Sequence, residues 1–340
     1  MQTAAVWMPT KHMGNLLVSL RALEALIQHF GAANTTLVID GAYRAIIDCF
    51  NPRCDVVYLP RAVPAKSPWR ALPPLWSFLR TVRAIGADIT IALEGDIPSQ
   101  RLIPLSRPRY TLGPDNRYCR HFARRIALDH DQQHRFYDYA AIVKAITERE
   151  LAPGYPTLSV SEETQRQLEH RLETLGLQAA SPITVLHPGA TKDYKQWPLK
   201  HFATLAHQLH SEGHQLVVTG AGERDGAAIA DLQQLTSTPL TSLHNQLTIA
   251  ELVALCQHAK LFVGNDTGPT HLAAATGTPT IAIFGPTDER RWGPMGENVR
   301  IVRHPLPCPV DCRRGRCSLD HRCLTTLSAD VVQAAIAELS

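Results

Sequence analysis

Short apolar runs alternate with longer stretches whose apolar positions recur at helical spacing, and this alternation persists along nearly the whole chain. Strands are predicted from Ala4 to Met8, Thr35 to Asp40, Val56 to Leu59 and Ile89 to Leu93. Helices are expected from Leu16 to Phe30, near Tyr43 to Phe50, near Trp76 to Ile85, and from Ala140 to Glu150. Such alternation implies parallel sheets covered on both faces, an α/β fold of the doubly wound kind. The stretch LAPGYPTLSVSEE then places Pro153, Gly154 and Pro156 close together and reads as a linker, dividing the chain into 1–155 and 156–340.

Beyond the linker, Ser161 opens a helix to Leu175, Ile183 to Leu186 forms a strand, and HPGATKDYKQWPLKHFATLAHQL follows with a helix opening near Pro198. A Gly-containing loop between strand and helix suits a diphosphate, with Lys195 as a point charge and Thr191 and backbone amides as donors. HQLVVTGAGERDGAAIADL repeats the strand, turn and helix order. Its Gly220, Gly222 and Gly226 are spaced G-x-G-x-x-x-G, which is not the dinucleotide fingerprint. Glu223 at that helix start could accept both ribose hydroxyls of a nucleotide, or simply complement the helix dipole. After a helix near Thr248 to His258 comes the densest stretch, AKLFVGNDTGPTHLAAATGTPTIAIFGPTDERR. It predicts a strand from Leu261 to Val263, a turn at Asp266-Thr267-Gly268-Pro269, and a helix from about Thr270. Gly277 ends that helix, and a second strand runs from Thr280 to Phe284. An ordinary βαβ unit would use these Gly and Pro residues only to turn the chain. Asp266 and Thr267 at the most open backbone, and His271 within a small apolar helix, weigh toward a ligand site. Ser328 caps a last helix from Ala329 to Leu339.

A chain of 340 residues suits two domains, and 44% hydrophobic with 19% charged residues excludes disorder. No apolar run is long enough to span a bilayer, and MQTAAVWMPTKHMG lacks the features of a signal peptide, so a cytoplasmic protein with reduced cysteines is expected. Of eight cysteines, four cluster as Cys308, Cys312, Cys317 and Cys323 within the segment 304–323, with His304 and His321 nearby. That density permits a metal site, yet the spacing is not the paired C-x-x-C of a zinc ribbon. The net charge of +3 is unevenly spread: from Arg61 to Arg125 twelve Lys or Arg stand against four Asp or Glu. The excess favours an anionic partner such as a phosphorylated sugar-lipid or an anionic membrane surface, or else is a solvated basic face. Nucleic acid is not expected, because no binding motif accompanies the charge.

The run DTGPTHLAAATGTPTIAIFGPTD resembles the C-terminal signature of the heptosyltransferase family, glycosyltransferase family 9, which moves a heptose from ADP-heptose onto the lipopolysaccharide inner core. The resemblance implies the GT-B architecture, two Rossmann-like domains facing across a cleft, the first binding the acceptor and the second the nucleotide sugar. It implies inverting transfer to a hydroxyl of a phosphorylated glycolipid, with no cofactor and no metal. Thr191 and Lys195, in a K-x-W-P spacing kept by Trp197 and Pro198, would contact the donor's phosphates. Glu223 would hold the ribose, Leu243 would line the base pocket, and Asp266, Thr267, Gly268 and His271 would complete the donor site. The opening loop KHMGNLLVSLRALEAL is similar to the family's first loop, where a Gly precedes an Asp acting as general base; here that position is Asn15. An amide cannot take a proton at neutral pH, so His12 or the Glu94/Asp96 pair at the end of a strand are further base positions. Glu94 and Asp96 could equally be solvated loop carboxylates. The rivals are a nucleotide-sugar epimerase, an oxidoreductase, and a non-catalytic sugar-nucleotide binding protein, the last favoured by Asn15.

Overall fold

The computed structural model describes residues 2–59, 80–94, 98–129, 134–178, 180–304, 317 and 319–339. The chain divides into two compact units, Met1–Pro156 and Thr157–Ser340.

The first unit runs β1 (Ala4–Met8), α1 (Met13–Phe30), β2 (Thr35–Asp40), α2 (Arg44–Phe50), β3 (Asp55–Leu59), β4 (Ile89–Ala92), β5 (Tyr110–Pro114), β6 (Arg124–Ile126) and α3 (Arg135–Thr147). Its six strands lie in the order β3-β2-β1-β4-β5-β6, every pair parallel. β1 is buried along its whole length, as a strand covered on both faces must be. α1 lays Leu16, Leu20, Leu23 and Ile27 into the core at helical spacing and ends at Gly31, whose φ of 84° is costly for a residue with a Cβ. α1 starts at Met13, so Asn15 sits in its first turn instead of in a loop before it. α3 starts at Arg135, five residues before the expected Ala140, because buried Arg135 and Asp138 pair with one another and so mask the apolar stripe. β5 and β6 have no counterpart in the expected pattern. Tyr110 is exposed, and β6 is a three-residue edge strand carrying Arg124 and Arg125. Of the helix expected from Trp76 to Ile85, only the part from residue 80 lies within the described residues, helical over 80–84.

The second unit runs α4 (Glu162–Thr174), β7 (Ile183–His187), α5 (Leu199–Ser211), β8 (Gln215–Val218), α6 (Gly222–Leu235), β9 (Thr241–Ser242), α7 (Ile249–His258), β10 (Leu261–Asn265), α8 (Gly268–Ala275), β11 (Thr280–Phe284), α9 (Glu289–Trp292), β12 (Val299–Arg303), α10 (Arg322–Thr325) and α11 (Ala329–Ala337). The strand order is β12-β11-β10-β7-β8-β9, again all parallel. Ser161 caps α4 by accepting from the Thr164 amide, and Thr248 with Glu251 forms a capping box on α7. α8 opens two residues earlier than expected because Thr267 is its N-cap and Pro269 fits its first turn. α11 packs on α5 within this unit, where Gln208 Nε2 donates to Asp330 Oδ1 at 2.8 Å and Gln333 Nε2 to Glu212 Oε1 at 2.7 Å. Among the described residues no helix is long and apolar enough to cross a membrane.

Each sheet reverses its direction of winding once. In the first unit β1 leads outward to β2 and β3 while β4 leads the other way, and in the second β7 leads to β8 and β9 while β10 leads to β11 and β12. At such a switch point the loops leaving two adjacent strands part to opposite faces and leave a crevice at the carboxyl ends, where ligands of doubly wound sheets bind.

Candidate functional site

The crevice of the second unit opens between β7 and β10, and most of the residues singled out in the sequence lie around it. Thr191 and Lys195 follow β7, Glu223 follows β8, Leu243 follows β9, and Asp266, Thr267, Gly268 and His271 follow β10. Lys195 Nζ lies 2.6 Å from Asp266 Oδ2, joining two segments 71 residues apart. The Asp266 side chain is 8% exposed and that of Lys195 22%, so the pair is shielded on one side and accessible on the other. A cation held this way is poised to transfer its donors to a more highly charged anion.

α8 aims its N-terminus at the same place. Thr267 caps it with no side-chain hydrogen bond, and no acidic residue occupies its first turn. The positive end of the helix and its first amides therefore face the crevice without a carboxylate of their own. Gly264 lets Thr270 approach: a Cβ there would stand 2.7 Å from Thr270 Oγ1, which donates to the Asn265 carbonyl at 2.6 Å. His271 and Thr267 are both buried.

The neighbouring loops are locked together. Arg224, beside Glu223 in the first turn of α6, donates from Nη1 to the Thr191 carbonyl at 2.8 Å and pairs with Asp193. Asp225 occupies the space where Gly189 and Gly220 have no side chain: a Cβ would meet it at 2.1 Å and 2.7 Å respectively. Its Oδ2 accepts from the Ala221 amide at 2.9 Å and lies 4.0 Å from His187 Nε2. Burial pushes the His187 imidazole below its ordinary pKa, with Asp225 pulling the other way, and the ring stacks on Phe262. Asn245 Oδ1 accepts from the Gly222 amide and His244 Nε2 donates to the Gly222 carbonyl, both at 2.8 Å, fixing the turn that carries Glu223. Glu223 itself is exposed, whereas Leu243 is buried beneath this turn.

In the first unit the crevice lies between β1 and β4. Asn15 borders it from the first turn of α1, half-buried, and His12 is the exposed N-cap of the same helix. Asp96 lies outside the described residues. Glu94 is engaged through both oxygens: Arg135 Nη2 donates to Oε1 at 2.5 Å and the Tyr139 hydroxyl to Oε2 at 3.1 Å, while Arg135 Nη1 donates to Asp138 at 2.7 Å. All four side chains are buried, and burial drives the Tyr139 phenol well above its usual pKa, so it remains a donor. Glu94 is thereby a brace, buried and with each carboxylate oxygen already accepting a hydrogen bond. Replacing Arg135 with Leu would strand two carboxylates in the interior. A loss of about 3–5 kcal/mol is expected, measured as a lowered urea midpoint. An unchanged midpoint would contradict the brace.

Of the cysteine cluster, Cys308 and Cys312 lie outside the described residues, and Cys317 Sγ accepts from the His321 amide at 3.3 Å. Among the described residues no group of three or more His, Cys, Asp or Glu is placed to hold a metal ion. Burial raises the Cys119 thiol to about 12, which keeps it protonated and unreactive.

Two features escape the sequence reading. Asn265 carries no expected role there, beyond the strand expected from Leu261 to Val263, yet it is the last residue of β10 and fully buried. Arg224 carried no motif, and its only signal was a cation in a helix's first turn, where the dipole disfavours it unless a nearby acceptor holds it.

Comparison with known proteins gives the family and the fold. A family model of glycosyltransferase family 9 (heptosyltransferase) matches residues 75–321. Lipopolysaccharide heptosyltransferase 3 of Escherichia coli is 32% identical over 145 residues, 42% of each chain, and lipopolysaccharide heptosyltransferase 2 of Salmonella typhimurium is 31% identical over 153 residues, 44% of this chain and 43% of that one. The aligned stretches thus span less than half the length of these curated relatives. Among solved structures, a family 9 glycosyltransferase from Veillonella parvula superposes with a TM-score of 0.86 at 20% identity, covering 99% of this chain and 97% of that one. E. coli heptosyltransferase WaaC, solved with ADP, gives 0.74 at 21%, covering 99% and 100%, and has also been solved with ADP-2-deoxy-2-fluoro heptose. These likenesses carry the fold, two doubly wound α/β units of the GT-B class, and with the family model they lead to one conclusion: the chain belongs to glycosyltransferase family 9 (heptosyltransferase).

Proposed function

We propose that the protein transfers a heptose from ADP-heptose to a hydroxyl of the lipopolysaccharide core or a related phosphorylated glycolipid, with inversion at the anomeric carbon. The acceptor oxygen forms a bond to that carbon as the bond to the diphosphate breaks, the hydroxyl proton passes to solvent, and ADP departs with the bonding electron pair. The observation that carries the reading is the Lys195–Asp266 pair at the switch point, beside the uncapped N-terminus of α8. Negative charge builds on the diphosphate as the glycosidic bond breaks, and an ammonium with aligned amides offsets it. Thr191 and Lys195 take the phosphates, Glu223 the ribose hydroxyls, Leu243 the base, and Asp266, Thr267, Gly268 and His271 the remainder of the donor. The acceptor's phosphates suit the first unit, where Arg80, Arg83, Arg107, Arg109, Arg120, Arg124 and Arg125 are all exposed. These exposed arginines also suit the anionic cytoplasmic surface of a membrane, where a lipid-linked acceptor resides.

Incubation with ADP-heptose and a truncated lipopolysaccharide acceptor is expected to yield ADP and extended glycolipid. The rate should be unchanged by EDTA, because protein cations supply the charge a divalent ion would otherwise bring. No product together with no ADP-heptose binding would refute the reading. Asn15 favours one alternative, a sugar-nucleotide binding protein without turnover: binding without product, with product appearing for Asn15→Asp, would establish it.

A further inference from the structure

We propose that Asn265 is a positioning residue of the donor site, which keeps the backbone around Lys195 in place while the Lys195 ammonium exchanges Asp266 for a diphosphate. This rests on the nucleotide-sugar reading above. Asn265 Oδ1 accepts from the Trp197 amide at 3.0 Å, and Nδ2 donates to the carbonyls of Pro188 at 2.9 Å and Gly189 at 3.1 Å. One fully buried side chain therefore ties both ends of the loop that carries Thr191 and Lys195. Its own carbonyl accepts from Thr270 Oγ1, which attaches the first turn of α8 to the same point.

The loop has a second link to the end of β10, the Lys195–Asp266 ion pair. That link is the one a diphosphate must compete for, since phosphate oxygens and the Asp266 carboxylate seek the same ammonium hydrogens. The Asn265 link is neutral, buried and made wholly to protein backbone, so it persists when the ion pair is disrupted. Without it, Arg224 still holds Thr191 and Asp193, but both ends of the loop are released, and part of the energy of the diphosphate contact would go into ordering the segment around Lys195. Neither isosteric replacement does this: Asp would lose both donations and place a charge against two carbonyl oxygens, and Leu would lose all three bonds.

The test is a double-mutant cycle on ADP affinity, measured by calorimetry on the full chain with Asn265→Ser, Lys195→Ala and the double variant. Asn265→Ser is expected to raise the ADP Kd about tenfold or more, and to change it less than about threefold once Lys195 is already Ala. An equal penalty in both backgrounds means a purely structural residue and overturns the proposal, as does an unchanged Kd in the single variant. Should Asn265→Ser fail to fold, amide exchange on the wild type decides: the Trp197 amide is expected to be protected with and without ADP. Exchange that is fast in either state overturns the proposal. Wild-type protein that does not bind ADP at all sinks the donor reading itself, and this inference with it.

Discussion

Lys195→Ala is expected to lower kcat/KM for the sugar nucleotide by about 100- to 1,000-fold, the range found when one preorganised donor to a developing anion is removed. Two effects combine. The ammonium that meets the leaving diphosphate is gone, and Asp266, with its side chain 8% exposed, is left as an uncompensated carboxylate facing an incoming anion. The second effect gives the substitution a signature. Adding Asp266→Asn to Lys195→Ala should recover part of the lost ADP affinity, because the repelling charge is removed while the missing cation is not restored. Steady-state kinetics and ADP titration of the single and double variants check this. A double variant weaker than Lys195→Ala alone would mean that Asp266 contacts the ADP moiety itself, instead of the sugar, and that its pairing with Lys195 is incidental.

Asn15→Asp is expected to raise kcat by about 100-fold, at the lower end of what a positioned general base contributes. The lower end applies because residue 15 lies in the first turn of α1, where the helix dipole stabilises the carboxylate and so weakens it as a base. Asn15 presents no basic atom, and Glu94, the nearest described carboxylate in the sequence after β4, spends both oxygens on Arg135 and Tyr139. The donor KM should not move, since the change lies in the first unit and the nucleotide residues lie in the second. A kcat unchanged by the substitution would place the proton acceptor elsewhere in the chain.

The crevice between β7 and β10 was legible in the sequence because the residues around it come from loops directly after strands. Strand–Gly–Thr–Lys and strand–Asp–Thr–Gly each announce a turn, a helix start and a charge within a few positions, and the switch point then brings them together. Asn265 was not legible for the opposite reason. Its three partners lie 68 to 77 residues away, and nothing local distinguishes an Asn that reaches across the sheet from one that merely turns the chain. The same limit applies to Arg135, whose partner Glu94 is 41 residues distant and whose burial contradicts its composition. β6 and β12 were missed because edge strands are short, half-polar and Arg-bearing, and β5, which lies inside the sheet, because Gly113, Pro114 and the exposed Tyr110 leave it no apolar run. Asn15, by contrast, could be assigned a place from the resemblance alone but not a role, since one amide in place of one carboxylate removes the chemistry while leaving the fold intact.

The most direct test is a crystal structure of the protein with ADP. The expected result has the diphosphate seated between β7 and β10, with the Lys195 ammonium donating to a phosphate oxygen instead of to Asp266, and the first-turn amides of α8 pointing at the same group. An ADP bound away from this crevice, or seated there with Lys195 still paired to Asp266 and no phosphate contact, would contradict it.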